Sequence, residues 1–212
     1  MAKISYATVR RLSRYYRSLD DAEKHRITTI SSEELARQNH LTAAQVRKDL
    51  SFFGAFGRRG LGYNVSDLKR NISGILGLDK NWNVLIAGAG NIGRALVNFE
   101  QFKQQGFIIK SILDNDPRKI GAPLGDLIIK DMNEMEREVK KNNIEIGIIC
   151  VPANAAQKVV DMMVADEVGI KAILCFAPVT LAAPKGVVIR NENIAIDIEA
   201  LSFALTNPGA TR

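Results

Sequence analysis

The sequence has few of the residues that form disulfides and metal sites. Its 212 residues include two cysteines, two histidines and one tryptophan. Cys150 and Cys175 each lie within an apolar run and lack the spacing of metal ligands. This pattern favours two buried free thiols over a disulfide, and we expect no metal site.

Long apolar runs are also missing. No stretch reaches the ~18 residues that span a bilayer, and residues 1–10 lack the apolar segment of a secretory signal. The chain is 46% hydrophobic and 25% charged, which is typical of a globular protein with one or two domains and excludes a disordered chain. We expect a cytoplasmic protein that does not enter the membrane.

The positive charge is distributed unevenly. Residues 1–80 hold 15 Lys and Arg against 8 Asp and Glu, whereas residues 81–212 hold 14 against 15. A basic excess confined to one part of a chain indicates a polyanionic partner for that part, although many solvated surfaces are also basic.

The basic part contains the pattern of a helix-turn-helix. Ser31 and Glu34 form a capping-box pair, which predicts a short helix running to about residue 38. Thr42 and Gln45 form a second pair, which predicts a helix over 43–53. Two capped helices joined by a short turn are typical of this motif.

The second helix has an apolar and a polar face. Val46, Leu50 and Phe53 are spaced to form its buried stripe. The polar residues expected on its outer surface are Gln45, Arg47, Lys48, Asp49 and Ser51. Gln side chains can pair with adenine and Arg or Lys with guanine, and Lys48 could equally contact phosphate. A solvated amphipathic helix without a ligand is the alternative.

A basic glycine-rich segment follows this helix. Residues 54–65 contain four glycines around Arg58 and Arg59, flanked by Phe56 and Tyr63. Glycine permits the tight turns of a hairpin lying along a nucleic-acid backbone, and arginine supplies charge for phosphate or the minor groove. The segment therefore predicts the wing of a winged helix. The residues expected to contact DNA are Thr42, Gln45, Arg47, Lys48, Ser51, Arg58, Arg59, Gly60 and Tyr63.

The second part of the chain begins with a dinucleotide-binding pattern. After a weak helix over 68–78 we place a domain boundary near Lys80. A short apolar run is followed by the motif G-x-G-x-x-G, whose glycines are Gly88, Gly90 and Gly93. A helix is predicted over 94–105. In this motif the glycines allow a tight turn, approach of the pyrophosphate, and packing of the helix on the sheet.

An acidic residue ends the next predicted strand. Residues 107–113 are apolar, and Asp114 follows 21 residues beyond Gly93. Asp114 is placed to accept hydrogen bonds from ribose hydroxyls and to repel a 2′-phosphate, which favours NAD over NADP; Arg118 leaves this preference open. The remaining candidate nucleotide contacts are Ala89, Asn91, Ile92, Phe99, Cys150, Val151, Pro152, Phe176, Ala177 and Pro178.

The rest of the chain continues the α/β alternation. Strands are predicted over 144–151, 171–174 and 187–190, with a helix over 155–167. The loops after the first two strands should border the nicotinamide, because ligands bind at the carboxyl ends of strands. A last apolar helix over 194–205 is expected to pack on a partner subunit or, alternatively, on its own domain.

Catalysis is not expected. A dehydrogenase needs a group that exchanges a proton with its substrate, but His25 and His40 both lie in the N-terminal part. The second part is filled by the nucleotide-binding fold and leaves no room for a substrate domain. The sequence therefore favours a protein that binds a nucleotide without catalysing a reaction over an oxidoreductase.

Together these motifs resemble the Rex family of redox-sensing transcriptional repressors. The resemblance is specific at residues 42–62 (TAAQVRKDLSFFGAFGRRGLG), 88–93 (GAGNIG), 116–121 (DPRKIG) and 176–178. It implies an α/β protein with a winged helix-turn-helix domain (1–80), a Rossmann-type doubly wound parallel sheet (81–193) and a swapped C-terminal dimerisation helix with its tail (194–212).

The resemblance also implies a function. Such a homodimer holds palindromic operators when NAD⁺ dominates and leaves them when NADH binds. An arginine of the first helix and an aspartate near the C-terminal helix pair in a redox-dependent way, by position Arg17 and Asp197. This chain has Phe99 where the family often has a tyrosine, which removes a hydroxyl.

The chemistry of the ring suggests how such a switch works. Oxidised nicotinamide is cationic, and an apolar pocket of Phe99, Val151, Pro152, Phe176 and Pro178 should prefer the neutral reduced ring, because burying a charge is costly. A small NAD-dependent oxidoreductase and a CoA- or nucleotide-binding regulator, each with a DNA-binding tether, remain as alternatives.

Overall fold

The computed structural model describes residues 4–57 and 61–210. The chain divides into two compact units, Met1–Lys80 and Asn81–Arg212. Arg58, Arg59 and Gly60, which the sequence assigns to the wing, lie outside the described residues. Across the described ranges, no helix is long and apolar enough to cross a bilayer.

The first unit is a helical domain with one short ladder. Its elements are α1 (Tyr6–Lys24), β1 (Thr29–Ile30), α2 (Ser32–Gln38), α3 (Ala43–Ser51), β2 (Tyr63–Asn64) and α4 (Val65–Leu76). All four helices contribute buried side chains to a single core, whose largest members include Leu12, Tyr15, Leu19, Leu35, Leu68 and Ile72. Val46 and Leu50 of the predicted stripe are buried, and Phe53 packs against this core while partly exposed.

Helix α2 begins at the predicted capping box. Ser31 Oγ accepts a hydrogen bond from the Glu34 amide at 3.0 Å, and Glu34 Oε2 accepts one from the Ser31 amide at 2.8 Å. At α3 the prediction is half right. Thr42 Oγ1 accepts from the Gln45 amide at 3.2 Å, but the Gln45 side chain donates to Asp49 Oδ1 at 2.9 Å instead of returning to the cap.

The turn between α2 and α3 is fixed by buried hydrogen bonds. The Asn39 side chain is buried and donates to the Leu35 carbonyl at 2.8 Å and to Ser18 Oγ at 3.0 Å. His40 has φ +55°, a left-handed conformation that turns the chain into α3. This geometry gives α2 and α3 the arrangement of a helix-turn-helix.

The hairpin predicted within residues 54–65 includes residues 58–60, which lie outside the described residues, and its described strand is β2. β2 pairs antiparallel with β1, so that Tyr63 lies opposite Ile30. A Cβ on Gly57 would lie 2.8 Å from the Gly62 carbonyl oxygen, and one on Gly62 would lie 2.6 Å from the Ile30 carbonyl oxygen. The glycines therefore allow three backbone segments, around residues 30, 57 and 62, to approach closely.

The second unit is a seven-stranded sheet with helices. Its strands are β3 (Trp82–Ala87), β4 (Phe107–Asp114), β5 (Pro123–Leu124), β6 (Leu127–Asp131), β7 (Ile146–Ile149), β8 (Ala172–Cys175) and β9 (Val188–Asn191). Its helices are α5 (Asn91–Val97), α6 (Glu100–Gln104), α7 (Met135–Asn142), α8 (Ala153–Val164) and α9 (Ile194–Thr206), with a short 3₁₀ turn over Met132–Glu134.

The strand order produces a switch point beside β3. The order is β5-β6-β4-β3-β7-β8-β9, and every pair is parallel except β5 with β6. The chain runs from β3 to one side and later crosses to β7 on the other. The carboxyl ends of β3 and β7 therefore flank the crevice in which doubly wound folds bind ligands.

The helix predicted over 94–105 is wrong as a single element. α5 ends at Val97, and α6 begins at Glu100 after Phe99 adopts a non-helical conformation (φ −87°, ψ 88°). Asn98 Nδ2 donates to the Arg94 carbonyl at 3.1 Å. Such side-chain bonds compete with the helical backbone and favour termination.

The last helix, α9, has an unusual surface. It carries six large apolar side chains that are more than half exposed: Ile194, Ile196, Ile198, Leu201, Phe203 and Leu205. No residue of α9 is buried. The alternative that α9 docks on its own domain is therefore not what the structure shows.

The aromatic chromophores are divided between the units. The single tryptophan, Trp82, begins β3, whereas all four tyrosines precede residue 81. Each unit therefore carries its own type of chromophore.

Candidate nucleic-acid interface and nucleotide cavity

The outer face of α3 presents two exposed cations. Arg47 Nη1 donates to Ser32 Oγ at 2.8 Å and lies 3.1 Å from Glu33 Oε1, so its guanidinium extends from α3 across to α2. Lys48 is exposed, and its carbonyl accepts a hydrogen bond from Ser51 Oγ at 2.8 Å. These side chains are placed to meet a polyanion.

A groove of about 680 Å³ lies between α3 and the glycine-rich segment. Three of the predicted DNA contacts line it: Arg47, Ser51 and Tyr63. The Tyr63 ring is half-buried, and burial raises the pKa of its hydroxyl, which therefore stays protonated. At the other end of α3, Thr42 is the N-cap and Gln45 lies in the first turn.

The sequence predicted Asp49 on the outer surface of α3, and this prediction is wrong. Its side chain is fully buried and accepts hydrogen bonds from Arg11 Nε at 2.6 Å and Arg11 Nη2 at 2.7 Å. The Tyr15 hydroxyl donates to Asp49 Oδ2 at 2.9 Å. The Arg11 and Tyr15 contacts join α3 to α1, and the Gln45 amide donates to the same carboxylate from within α3.

The network keeps Asp49 ionised. Burial alone would raise the pKa of the carboxyl, but the hydrogen bonds from Arg11, Tyr15 and Gln45 outweigh it and lower this pKa below its ordinary value. The Gln45 amide, the candidate adenine contact, is thereby held in one orientation by an internal anion.

The glycine loop after β3 is shaped by close backbone contacts. Gly88 has φ +107°, and a Cβ there would lie 2.5 Å from the Cys150 carbonyl oxygen. A Cβ on Gly93 would lie 2.0 Å from the Gly88 carbonyl oxygen, whereas one on Gly90 would project into open space. Gly88 and Gly93 are therefore needed for the fold, and Gly90 leaves room for a ligand.

Asp114 is buried beneath this loop. Its Oδ2 accepts hydrogen bonds from the Ala89 amide at 2.8 Å and from Lys119 Nζ at 3.0 Å, and its Oδ1 accepts one from the Asp116 amide at 2.9 Å. These contacts hold its pKa below the ordinary value despite burial. Asp114 therefore pins the glycine loop to the end of β4, in addition to any role toward a ribose.

Asp116 forms a second ion pair on the same turn. It accepts from Arg118 Nε at 2.9 Å, from Arg118 Nη2 at 2.8 Å and from the Arg118 amide at 3.0 Å. Hydrogen bonding to this guanidinium lowers the pKa of Asp116 to about 2. Both cations of the turn are thus paired with a carboxylate.

A cavity of about 1030 Å³ opens at the carboxyl ends of β3, β4, β6 and β7. It brings together eight of the predicted nucleotide contacts: Gly88, Gly90, Asn91, Ile92, Asp114, Cys150, Val151 and Pro152. Ala89 is buried in the glycine loop beside the cavity, and Gly93 is buried in the first turn of α5. A volume of this size matches a cofactor-sized ligand.

Four of the predicted contacts lie elsewhere. Phe99 lines a separate cavity of about 800 Å³ and packs edge-to-face on Phe102 at 5.2 Å, because the break after α5 turns it away. Phe176 packs into the sheet core, Ala177 is buried and Pro178 is exposed. Of the five residues predicted to form the apolar pocket, only Val151 and Pro152 line this cavity.

Sequence reasoning missed several residues of the cavity: Asn115, Asp116, Lys119, Asp131, Met132, Asn133, Asn154, Ala155, Lys158, Val159 and Met162. Asp131 ends β6 and Met132 and Asn133 follow it, in a segment for which no strand was predicted. The strand-end rule applied to the apolar residues 127–129 would have found them. Val159 and Met162, on α8, supply the apolar wall beside Val151.

The cysteines are free thiols. Cys150 is half-buried at the cavity, where burial raises its pKa to about 12, and burial also raises the pKa of Cys175. Both sulfurs are therefore protonated near neutral pH and are poor nucleophiles. Among the described residues, no group of three or more His, Cys, Asp or Glu side chains is arranged to hold a metal ion.

The two candidate switch residues are accessible in their own units. Arg17 is exposed on α1, and Asp197 is exposed in the first turn of α9.

Two family profiles match the chain. Residues 3–51 match the family described as "Putative DNA-binding protein N-terminus", and residues 79–179 match the family described as "CoA binding domain".

Curated relatives match over nearly the whole chain. Proteins named redox-sensing transcriptional repressor Rex are 47% identical in Desulforamulus reducens (96% of each chain) and 43% identical in Clostridium acetobutylicum (99% of this chain, 97% of the relative).

Solved structures are similar in the same way. A crystal structure of RSP in complex with β-NAD⁺ and operator DNA superposes with a TM-score of 0.91 at 40% identity, covering 97% of this chain and 94% of that one. A structure of RSP in complex with β-NADH has a TM-score of 0.87 at 39% identity, covering 97% and 96%.

Proposed function

The chain belongs to the Rex family of redox-sensing transcriptional repressors, and from that membership we propose how its two units divide the work. The first unit holds operator DNA, and the second binds NAD(H) and releases the DNA when the bound nucleotide is NADH. One observation carries this proposal. The chain combines the glycine-loop cavity with a helix α3 that exposes Arg47 and Lys48 on its outer face.

The residues of the cavity fit a dinucleotide. The open space above Gly90 admits a pyrophosphate close to the backbone. Asp114 and Asn115, at the end of β4, lie where the adenine ribose is expected, and Val151 and Pro152, after β7, lie where the nicotinamide is expected. When bound, NAD(H) supplies a ring that changes charge with its oxidation state.

The walls of the cavity favour the reduced ring. Its carboxylates Asp114, Asp116 and Asp131 follow β4 and β6, on the opposite side of β3 from β7. The β7 side is formed by Cys150, as a neutral thiol, by Val151 with other apolar side chains, and by Asn154 and Lys158 of α8, with no carboxylate among the described residues that line it. Burying a cation there costs more than burying a neutral ring. The difference between the binding free energies of NADH and NAD⁺ is the free energy available to the switch.

In the first unit, we propose that Arg47, Lys48 and Tyr63 contact DNA together with the other residues predicted from the sequence. The exposed cations meet phosphate or guanine, and the tethered Gln45 amide meets a base edge. Arg58, Arg59 and Gly60 keep their proposed role in the wing on sequence grounds alone.

We further propose that the chain works as a homodimer on a palindromic operator. The exposed apolar face of α9 supports a partner subunit as its cover, and the family resemblance implies a swapped helix. Arg17 and Asp197 are proposed to pair in a redox-dependent way. Because operator DNA lies in the bacterial cytoplasm, the protein is proposed to act there.

We propose that binding proceeds without turnover. Both histidines precede residue 81, and the Cys150 thiol is protonated near neutral pH. A second candidate, binding of CoA, is favoured by the family description matched over residues 79–179. A bound CoA would occupy the same cavity but would carry no redox signal.

Operator-binding assays test these alternatives. NAD⁺, NADH, NADPH and CoA are added separately to the full chain bound to labelled operator DNA. Release by NADH alone is expected. Equal effects of NADH and NAD⁺, or release by CoA, would overturn the proposal, and oxidation of NADH with a carbonyl substrate would reveal an enzyme.

A further inference from the structure

The turn after β4 holds four charges at one end of the nucleotide cavity. They are Asp114, Asp116, Arg118 and Lys119, and they form two carboxylate–cation pairs. Asp114, Asp116 and Lys119 line the cavity, while the Arg118 side chain is 87% exposed beside them. We infer that Asp116, by pairing with Arg118, is the residue that makes this cavity reject a 2′-phosphorylated dinucleotide. The inference rests on the proposed binding of NAD(H).

The usual acidic selector is already engaged. In dinucleotide-binding folds the carboxylate at the end of the second strand accepts hydrogen bonds from the ribose and repels a 2′-phosphate. Here that residue, Asp114, is 5% exposed and accepts three hydrogen bonds from its own protein. Its charge is also offset by Lys119 at 3.0 Å. Asp114 therefore repels an approaching phosphate less than a free carboxylate would.

The same turn carries the groups that a 2′-phosphate needs. Arg and Lys are the residues that bind phosphate, and arginine near this position is the feature that accommodates NADP in related folds. Arg118 and Lys119 stand two and three residues beyond the cavity residue Asp116. Without their carboxylate partners they would form a phosphate site.

Asp116 removes Arg118 from that role. Its two oxygens take Arg118 Nε and Nη2 in a bidentate pair at 2.9 and 2.8 Å. A 2′-phosphate would have to break this pair and approach the Asp116 carboxylate, whereas a 2′-hydroxyl needs neither. Selection against a 2′-phosphate therefore depends on the pairing of the Arg118 guanidinium as well as on repulsion by the Asp116 carboxylate.

The test uses the full chain and measures direct binding of NADPH and NADH. Wild type is expected to bind NADH and to bind NADPH far more weakly. In Asp116→Ala the ratio of NADPH affinity to NADH affinity should rise by at least about tenfold, the value of one charge-assisted hydrogen bond. Measurable NADH binding by the variant shows that it is folded.

The double variant Asp116→Ala with Arg118→Ala isolates the guanidinium. It should lose the NADPH affinity that the single variant gained. The inference is overturned if Asp116→Ala leaves the ratio unchanged, if the double variant keeps the gain, or if wild type binds both nucleotides equally. A wild type that binds neither reduced nucleotide would instead overturn the proposed function itself.

Discussion

Arg11→Ala should destabilise the first unit by leaving the buried Asp49 carboxylate without its cation. Removing one partner of a buried pair costs about 3–5 kcal/mol. Asp49 keeps the Tyr15 and Gln45 hydrogen bonds, and the Arg11 side chain is 21% exposed. We therefore expect the lower end, about 3 kcal/mol. That is a large fraction of the 5–15 kcal/mol typical of a whole domain.

The measurement is hydrogen exchange of the α3 amides in the full chain. Faster exchange reports the loss of stability locally and does not require the two units to unfold together. Arg10→Ala is the matched control, because Arg10 is exposed on the same helix and its loss changes the net charge equally. Replacing both partners with apolar residues, Arg11→Met with Asp49→Leu, should restore only part of the protection, because the buried Tyr15 hydroxyl then loses its acceptor.

The same pair predicts a pH dependence. The folded pKa of Asp49 is lowered, so its contribution to stability is fully present above the unfolded value of about 3.9. It is lost as the pH falls through the folded pKa. The gap between wild type and Arg11→Ala should therefore narrow in acid. A variant that exchanges no faster than Arg10→Ala at pH 7 would refute the reasoning.

Three further predictions concern the nucleotide cavity and the DNA-binding wing. Gly93→Ala should lower the thermal stability of the second unit because its methyl group meets a backbone carbonyl, whereas Gly90→Ala should fold normally and lose NADH binding, as calorimetry would show. Asp114→Ala should weaken NADH binding by freeing the glycine loop and leave the apo protein on DNA; release by NADH as readily as wild type would contradict this. Arg58→Ala with Arg59→Ala should lower operator affinity and flatten its salt dependence, and an unchanged slope in a salt titration would count against the wing.

Local rules predicted the features that depend on neighbours in sequence. The Ser31–Glu34 capping box starts α2, and the apolar run before Gly88 forms β3. These predictions succeed because a cap or a strand-to-helix turn is determined by a few adjacent residues. The same holds for the strand that ends at Asp114.

One error came from a contact between distant residues, and two came from local features that the sequence patterns did not reveal. Asp49 was assigned to the surface because it is polar, and nothing near it in sequence reveals Arg11, 38 positions away. Phe99 is placed in the nicotinamide pocket through the family resemblance, at the position of a tyrosine, but the chain leaves the helix after Val97 and the Phe99 ring packs on Phe102. The sequence patterns predict no strand over 115–143, so Asp131 and its neighbours at the cavity were missed.

The separation of the aromatic residues makes the protein its own spectroscopic reporter. Trp82 lies at the start of β3, in the unit that contains the cavity, and the tyrosines all lie in the other unit. Reduced nicotinamide absorbs where tryptophan emits, and the oxidised ring does not. Selective excitation of the indole should therefore reveal occupancy by NADH as quenching, without a label and without interference from the DNA-binding half.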